Sequence, residues 1–574
     1  MVEITVNNRV INADPGETIL SALNRVGIRV PTLCHMAGMM PTGACRICVV
    51  EVEGEEGLVP SCSSPVREGM RIWTNSQRVI NARKTLIQLL LSNHPDDCLY
   101  CSKSSDCQLR SLAEEYGIRE RSPKRKFREK LKDITSPAII RDPTKCILCG
   151  KCVRVCSEVQ EVAAIDFVGR GSRTVVSPAF NRSMNISSCV NCGQCVLVCP
   201  TGALTEHSRL KDITNVIGEH EKTIVIQYGP SVPLSIAEEF GLKPGADIPG
   251  LLNAALRQIG FAKVFDTSFA ADLTAVEEAH EFVDRLKKES HLPLFTSCSP
   301  SWVKFVEEFY PEFLPNLSSC KSPQGMLGAV IKTFFAQQSG IPASEIYSVA
   351  AMPCTAKKFE ATRVELGRND DPDIDAVITV RELLRMIKLY GIDFNALQPE
   401  PADNPFGTRS TAGKLFGVTG GVAEATLRTA HKLLTGRELK SLKIEAFRGL
   451  DGCKEATLKM GDREIDVAVV SGLGNARKLL EEIKEGMHRN LKFVEVMACP
   501  GGCIGGGGQP FSTNPERIKA RMQALYALDQ SEHLRTAHEN PEVKRLYQEF
   551  LGEPGGDLAR EVLHTTFAPR KVYR

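Results

Sequence analysis

The sequence predicts a multidomain α/β protein, and three observations carry that expectation. The chain has 574 residues, beyond the size at which a single hydrophobic core keeps growing. Fifteen cysteines crowd its first 199 residues at tight, repeated spacings. From about residue 210 short apolar runs alternate with amphipathic stretches, the pattern of strands feeding helices. Small cysteine-bearing modules should therefore precede one large α/β domain.

With 42% hydrophobic residues, 24% charged residues and a formal net charge of +2, the composition is that of an ordinary globular protein. It suggests no polyanion-binding surface, so nucleic acid is not an expected partner. No apolar run is long enough to span a bilayer, and Met1 leads straight into the strand-like Val2-Glu3-Ile4-Thr5-Val6 rather than an export signal. A cytoplasmic, reducing setting is expected. There, C-x2-C pairs read as metal ligands rather than disulfides.

Residues 1–78 alternate short β-type runs with turns: 2–6, the Asp14-Pro15-Gly16 turn, a helix-like stretch at 18–26, then Val49-Val50-Glu51-Val52. A small mixed sheet with one helix follows. Cys34, Cys45, Cys48 and Cys62 form a C-x10-C-x2-C-x13-C array whose core matches plant-type [2Fe–2S] ferredoxins, with a longer first gap. Residues 79–118 begin with helical periodicity at 79–92 and continue to His94, Cys98, Cys101 and Cys107. By ligand type this set suits zinc as well as a cluster; its position between two other cluster-like sets favours [4Fe–4S]. The Lys/Arg-rich stretch around Ser122-Pro123 marks a linker at 119–137.

Residues 138–209 carry Cys146, Cys149, Cys152, Cys156 and Cys189, Cys192, Cys195, Cys199, each set spaced C-x2-C-x2-C-x3-C. In the bacterial two-cluster ferredoxin signature the fourth cysteine of one set ligates the other cluster. Cys199 is thus expected with Cys146, Cys149 and Cys152, and Cys156 with Cys189, Cys192 and Cys195. Four cluster sites in tandem suit the movement of single electrons.

In residues 210–574, strands are expected at 223–227, 346–350, 376–379 and 467–470, and helices at 251–259, 381–389 and 476–483. Three apolar runs end at cysteines: Cys298 after 294–297, Cys354 after 349–353, and Cys499 with Cys503 after 493–498. Ligands bind at the carboxyl ends of strands in open α/β sheets, so these cysteines should converge on one buried site. The glycine run 505–508 would let backbone approach a bulky inorganic cofactor. Cys320 and Cys453, outside any ligand spacing, are expected as buried structural thiols, and Trp302 as core.

These three segments, in this order, resemble the signature loops of [FeFe]-hydrogenases: T-S-C-C-P-x-W, M-P-C-x-x-K-x-x-E and M-A-C-x-x-G-C-x-G-G-G-x-P. Here they read Thr296-Ser297-Cys298-Ser299-Pro300-Ser301-Trp302, Met352-Pro353-Cys354 through Lys357 to Glu360, and Met497 through Pro510. The N-terminal part also looks like the large iron–sulfur subunit of respiratory NADH dehydrogenase, a likeness shared by hydrogenase subunits that exchange electrons with NAD(P)H and ferredoxin. The resemblance implies ferredoxin-like iron–sulfur modules, with one [2Fe–2S] and three accessory [4Fe–4S] clusters, ahead of an H-cluster domain.

In that family the H-cluster is a [4Fe–4S] cubane joined to a two-iron unit carrying CO, cyanide and a dithiolate. Carried over, Cys354 and Cys499 would hold the cubane and Cys503 would bridge it to the two-iron unit. Pro230, Ser231, Ser322, Gln324 and Lys357 would line the two-iron unit, with Met352 and Met497 as apolar walls. A proton route would run through Cys298, Glu278, Ser318, Glu281 and Arg285. Expected partners are dihydrogen and protons, ferredoxin, flavin- and Fe–S-containing NAD(P)H-linked subunits of an electron-bifurcating kind, and maturation proteins. No strand leads through G-x-G-x-x-G into a helix, so NAD(P)H chemistry would fall to another subunit.

Ser299 departs from the family, standing where a cubane cysteine is usual. An oxygen ligand, an open site or replacement by Cys298 would follow. The expected activity is reversible interconversion of H2 with protons and electrons. The alternative is a hydrogenase-derived electron-transfer or H2-sensing subunit with weak turnover.

Overall fold

The computed structural model describes residues 1–120, 131–368 and 371–572. Near the N-terminus, β1 (Val2–Val6), β2 (Arg9–Ala13), β3 (Val49–Val52), β4 (Val59–Pro60) and β5 (Arg71–Trp73) form a five-stranded sheet ordered β2-β1-β5-β3-β4. Ile4, Val6, Val50 and Ile72 from its strands meet Leu20 and Leu23 of the helix Ile19–Arg25. That helix starts where Thr18 accepts the Ser21 N–H at 3.2 Å, a side-chain cap replacing a missing backbone acceptor. The next helix, Gln77–Ser92, is capped in the same way by Ser76. From it the buried Arg83 donates to the carbonyls of Ile47 and Val49 at 3.1 and 2.7 Å, locking the helix onto the cysteine-bearing loop of the first sheet.

Residues 121–130 of the expected linker at 119–137 lie outside the described residues. The end of the linker does not: Asp133 is buried and exchanges two backbone hydrogen bonds with Arg141, so regular packing begins before residue 138. The following module has two short antiparallel pairs, β6 (Ile139–Arg141) with β9 (Leu204–Glu206) and β7 (Asp166–Val168) with β8 (Val175–Ser177).

The remaining chain builds two four-stranded sheets. In the first, β11 (Lys263–Asp266), β10 (Thr223–Tyr228), β13 (Ile346–Met352) and β16 (Ala376–Thr379) run parallel in that order. In the second, β12 (Leu294–Phe295), β19 (Leu491–Met497) and β18 (Arg463–Ser471) are parallel, and β17 (Cys453–Met460) closes the edge antiparallel. A small hairpin of β14 (Gly367–Arg368) and β15 (Asp371–Pro372) lies apart. The helices expected at 251–259, 381–389 and 476–483 are Pro249–Ile259, Val380–Leu389 and Leu473–Lys484.

The helix Ser268–Lys288 joins the two sheets. Its first half packs Phe269 and Leu273 with Val225 and Phe265 of one sheet; its second half packs Phe282 and Leu286 with Val467 and Phe493 of the other. Apolar residues on several faces of this helix leave few positions for charge, so its buried carboxylates are conspicuous. Trp302 is fully buried beside Phe295 and Phe305, as expected. Cys320 is also buried, but Cys453 is exposed on the edge strand β17, where only one face of the strand is covered. Among the described residues no helix is long and apolar enough to cross a membrane.

Candidate functional site

Most motif cysteines lie on loops, and the rest sit in short helical turns beside them, such as Cys152 in Lys151–Arg154 and Cys195 in Gln194–Val198. In the first module Cys34, Cys48 and Cys62 are buried and Cys45 is half-buried, with the Cys45 N–H turned to Cys34 Sγ at 3.5 Å. Hydrogen bonding from Cys45 holds the Cys34 thiol down at about 5, and hydrogen bonding from Cys62 holds Cys48 at about 6. Such close thiol pairs suit a shared cation centre.

In the second set Cys107 is buried, Cys101 half-buried and Cys98 exposed, and burial followed by the neighbouring thiols raises Cys107. His94 is buried, and its Nδ1 lies 3.1 Å from the Pro95 carbonyl. A carbonyl only accepts, so Nδ1 carries the proton and Nε2 has the lone pair a metal needs. Among the described residues no three ligand atoms of this set come within 4.8 Å of one another. Ligand sulfurs on tetrahedral zinc would lie about 3.8 Å apart.

The paired eight-cysteine module has two cavities. Cys146, Cys149, Cys152 and Cys199 line one; Cys156, Cys189, Cys192 and Cys195 line the other. The fourth cysteine of each motif therefore faces the cavity of the other motif. Both loops use the same backbone device, a left-handed residue before and after the second cysteine: Leu148 and Gly150 in one, Asn191 and Gly193 in the other. These turns wrap the loop around its centre.

The three later cysteine segments meet where strands end. β12 and β19 are parallel neighbours in register Leu294↔Phe493, so the loops bearing Cys298–Ser299 and Cys499–Cys503 leave side by side. β10 and β13 likewise deliver Gly229–Pro230 and Pro353–Cys354. One cavity is lined by Cys298, Ser299, Cys354, Cys499 and Cys503, with Pro230, Gln324, Met352, Lys357 and Met497 around them. The glycine run closes it by contact. A Cβ on Gly506 would sit 2.1 Å from the Pro353 carbonyl oxygen, and one on Gly507 2.2 Å from that of Cys192, so neither position accepts a side chain.

That contact also brings the accessory module to the cavity wall. Gln194 Nε2 donates to the Gly505 carbonyl at 3.0 Å, and Thr355 Oγ1 donates to that of Asn191 at 2.7 Å. Burial and then the Cys499 sulfur raise the Cys192 thiol well above its ordinary range.

Lys357 reaches the cavity as a held cation. Its Nζ lies 2.8 Å from Glu360 Oε2, 2.6 Å from Ser322 Oγ and 3.4 Å from the Cys298 carbonyl. Ser322 and Gln324 donate to the same carboxylate oxygen at 2.9 and 3.1 Å. Ser322 and Ser231 stand behind the lining residues, Ser231 fully buried with its Oγ 3.3 Å from Gln509 Nε2. Ser299 Oγ accepts the Ala498 N–H at 3.4 Å.

Glu278, Glu281 and Arg285 lie one helical turn apart along Ser268–Lys288, a row leading outward. Burial, then the Glu281 charge, pushes Glu278 up to about 8; Thr426 Oγ1 donates to it at 3.3 Å. Ser318 Oγ donates to Glu281 Oε2 at 2.9 Å, and Arg285 pairs with Glu281 at 2.6 Å while donating to the Leu317 carbonyl at 2.7 Å. At the inner end Cys298 is half-buried, its thiol raised by burial and then by Glu278.

Sequence reasoning missed several supports. Glu495 on β19 accepts the N–H groups of Gly420 and Ala423 at 2.7 and 2.8 Å, and burial pushes it up to about 6. Thr426 belongs to no motif, and Gln194 fills an unspecified position between Cys192 and Cys195. Glu360 sat inside a motif without a role, although its spacing of three from Lys357 in a helix was a readable signal for a pair.

The chain matches several family models. Residues 222–507 match the iron only hydrogenase large subunit, C-terminal domain, and residues 515–570 the iron hydrogenase small subunit. Ahead of them, residues 1–77 match a 2Fe-2S iron-sulfur cluster binding domain, 83–122 the NADH-ubiquinone oxidoreductase-G iron-sulfur binding region and 145–203 a 4Fe-4S dicluster domain. The chain is 46% identical to the NADP-reducing hydrogenase subunit HndD of Solidesulfovibrio fructosivorans, over 100% of this chain and 99% of that protein. It is 40% identical to iron hydrogenase 1 of Clostridium pasteurianum, over 98% and 99% of the two chains. A solved variant of the [FeFe]-hydrogenase HydA1 from Chlamydomonas reinhardtii superposes with a TM-score of 0.58 at 40% identity, covering 63% of this chain and 99% of that one. With its cysteine-lined cavity at the strand ends and its iron–sulfur modules in front, the chain belongs to the [FeFe]-hydrogenase family.

Proposed function

We propose that this hydrogenase interconverts dihydrogen with protons and electrons at an H-cluster seated in the cavity at the strand ends. One [2Fe–2S] and three accessory [4Fe–4S] clusters, held by the sets at residues 1–78, 79–118 and 138–209, would connect it to partners. The observation that carries this reading is the packing of the Cys192 loop on the Cys499 loop. An electron arriving in the eight-cysteine module has no domain left to cross.

When bound, the H-cluster supplies the redox centre for hydrogen chemistry. Cys354, Cys499 and Cys503 would hold it through thiolates, and Ser299, which lines the same cavity, would offer a hydroxyl oxygen. The donor set fits the group with one oxygen in place of one sulfur. Lys357, fixed by Glu360 and Ser322, presents a buried positive charge, and Gln324 an amide, where anionic ligands need hydrogen-bond donors. Met352 and Met497 keep the wall apolar. Cys298 exchanges a proton with Glu278, and Ser318, Glu281 and Arg285 pass it to the surface.

External electrons would come from ferredoxin and from flavin- and Fe–S-containing NAD(P)H-linked subunits, in line with HndD being named a subunit of an NADP-reducing hydrogenase. Maturation proteins would install the two-iron unit, and the compartment would be cytoplasmic. Infrared spectroscopy of the matured protein tests the reading. Metal-bound CO and cyanide bands with H2 evolution from a reduced dye are expected; their absence from an iron-replete protein would end it.

A further inference from the structure

Outside the cavity, three metal-binding side chains meet at the outer end of the carboxylate row. Among the described residues, one ligand atom each from Glu281, Cys320 and His564 lies within 4.8 Å of the other two. They come from different parts of the chain. Glu281 is on the helix Ser268–Lys288, Cys320 follows β12, and His564 lies in the segment matching the small-subunit model. The backbone fixes the meeting. Cys320 and His564 form an antiparallel bridge, with the Lys321 N–H on the Leu563 carbonyl and the Thr565 N–H on the Ser319 carbonyl, both at 2.8 Å.

Cys320 Sγ is 3.8 Å from Glu281 Oε2. Ser319 Oγ bridges His564 Nδ1 at 2.8 Å and Glu281 Oε1 at 3.2 Å, so Nδ1 is the nitrogen turned to the group. The other nitrogen, Nε2, lies 3.0 Å from Glu277 Oε2, and Glu277 is itself held by the Tyr547 hydroxyl and by the Gly555 N–H at 3.0 Å. A histidine oriented through its far nitrogen by an anchored carboxylate is the outer-shell arrangement found around zinc. One thiolate, one imidazole and one carboxylate are zinc donors, and a water or Ser319 would complete a tetrahedron. With all three ligand atoms within 4.8 Å, and Cys320 Sγ already 3.8 Å from Glu281 Oε2, reaching the roughly 3.5 Å that tetrahedral zinc requires takes side-chain shifts of about 1 Å or less.

We propose that Glu281, Cys320 and His564 form a binding site for a divalent cation of the zinc class, and that the bound ion closes the proton route by occupying the Glu281 carboxylate. Binding replaces the Cys320 S–H bond by a metal–sulfur bond and releases that proton to solvent. The second half of the proposal rests on the reading that Glu281 relays protons; the site itself does not.

The test uses the matured full-length enzyme with added Zn2+. Zinc-edge X-ray absorption should show one sulfur in a shell otherwise of nitrogen and oxygen, and H2 evolution should fall and return with a chelator. Cys320→Ala should remove the sulfur, and both it and the more conservative His564→Gln should weaken zinc binding by at least the roughly 10–100-fold that losing an outer partner costs. Both variants should evolve H2 in the presence of zinc. A zinc shell without sulfur, or one with the same affinity in both variants, overturns the site. Zinc bound as described with turnover untouched upholds the site and overturns the relay role of Glu281.

Discussion

Lys357 and Glu360 form an ion pair of 2.8 Å in the wall of the active-site cavity, their side chains only 10% and 7% exposed. Removing one partner of a buried pair strands the other charge in a medium that solvates it poorly, at a cost of about 3–5 kcal/mol. Glu360→Leu should therefore lower the melting temperature by at most roughly 6–20 °C, since the scaling of about 2–4 °C per kcal/mol holds for domains of about 150–250 residues and shrinks for larger ones. In Lys357→Met/Glu360→Leu most of that loss should return, because no charge is left unpaired. A single variant that melts with the wild type would show that the pair contributes no stability.

That pair was readable because a helix turns every spacing of three into a contact. The accessory centres were readable for a related reason: C-x2-C-x2-C-x3-C fixes a loop that wraps a centre whatever surrounds it, and both cavities collect the expected cysteines. Other features depend on distant chain. The meeting of Ser319 with His564 spans 245 positions and follows no local pattern. β17 escaped notice because its edge position leaves only half of it covered, whereas β19, buried on both faces, reads as a mostly apolar run interrupted by Lys492 and Glu495. Ser231 and Ser322 fall near the cavity but behind its lining, a distinction of packing depth that motif matching does not carry.

The two cavities of the eight-cysteine module make a counting prediction. If ligands cross between motifs, Cys156→Ala/Cys195→Ala removes ligands of one centre and should cost about 4 irons, whereas Cys156→Ala/Cys152→Ala strikes two centres and should cost about 8. Uncrossed ligation gives the opposite order. Iron analysis of the two double variants decides between them.

Cys298 lines the cavity and its thiol is raised by burial and then by the charge of Glu278, and a group that moves protons there is needed for turnover but not for assembly. Cys298→Ala should cut H2 evolution by about 10²–10⁴-fold, the usual worth of a general acid–base group, and keep the CO and cyanide infrared bands. Bands lost together with activity would mark Cys298 as a cluster ligand instead.

Glu278 provides a pH signature. Burial and then Glu281 raise it from 4.5 to about 8, so it is largely protonated at neutrality. H2 production draws on the acid form and should fall as pH rises through about 8; oxidation draws on the base form and should rise through the same range. Stability follows with a definite sign. Between 4.5 and about 8 the folded protein keeps a proton that the unfolded chain has lost, so stability falls as pH rises across that window. In Glu278→Gln both dependences should flatten, and turnover should drop. A variant with the wild-type pH profile would remove Glu278 from the route.

Ser299 is the chemical departure in the cavity, its oxygen held by the Ala498 N–H at 3.4 Å in a site it shares with Cys354, Cys499 and Cys503. Oxygen is a harder donor than sulfur and leaves more localised negative charge on the metal centre. Adding an electron to such a centre is disfavoured, so an oxygen-ligated cubane should have a lower reduction potential than its all-thiolate counterpart. Ser299→Cys should accordingly raise the cubane potential in a redox titration and shift the balance between H2 production and H2 oxidation towards oxidation. Ser299→Ala separates ligation from mere proximity. If Ser299 is bound to iron, the alanine variant should change the magnetic spectrum of the cubane or lose cubane iron. An unchanged spectrum and potential in both variants would mean that the hydroxyl only accepts the Ala498 N–H, and the cubane would then rest on its three cysteines.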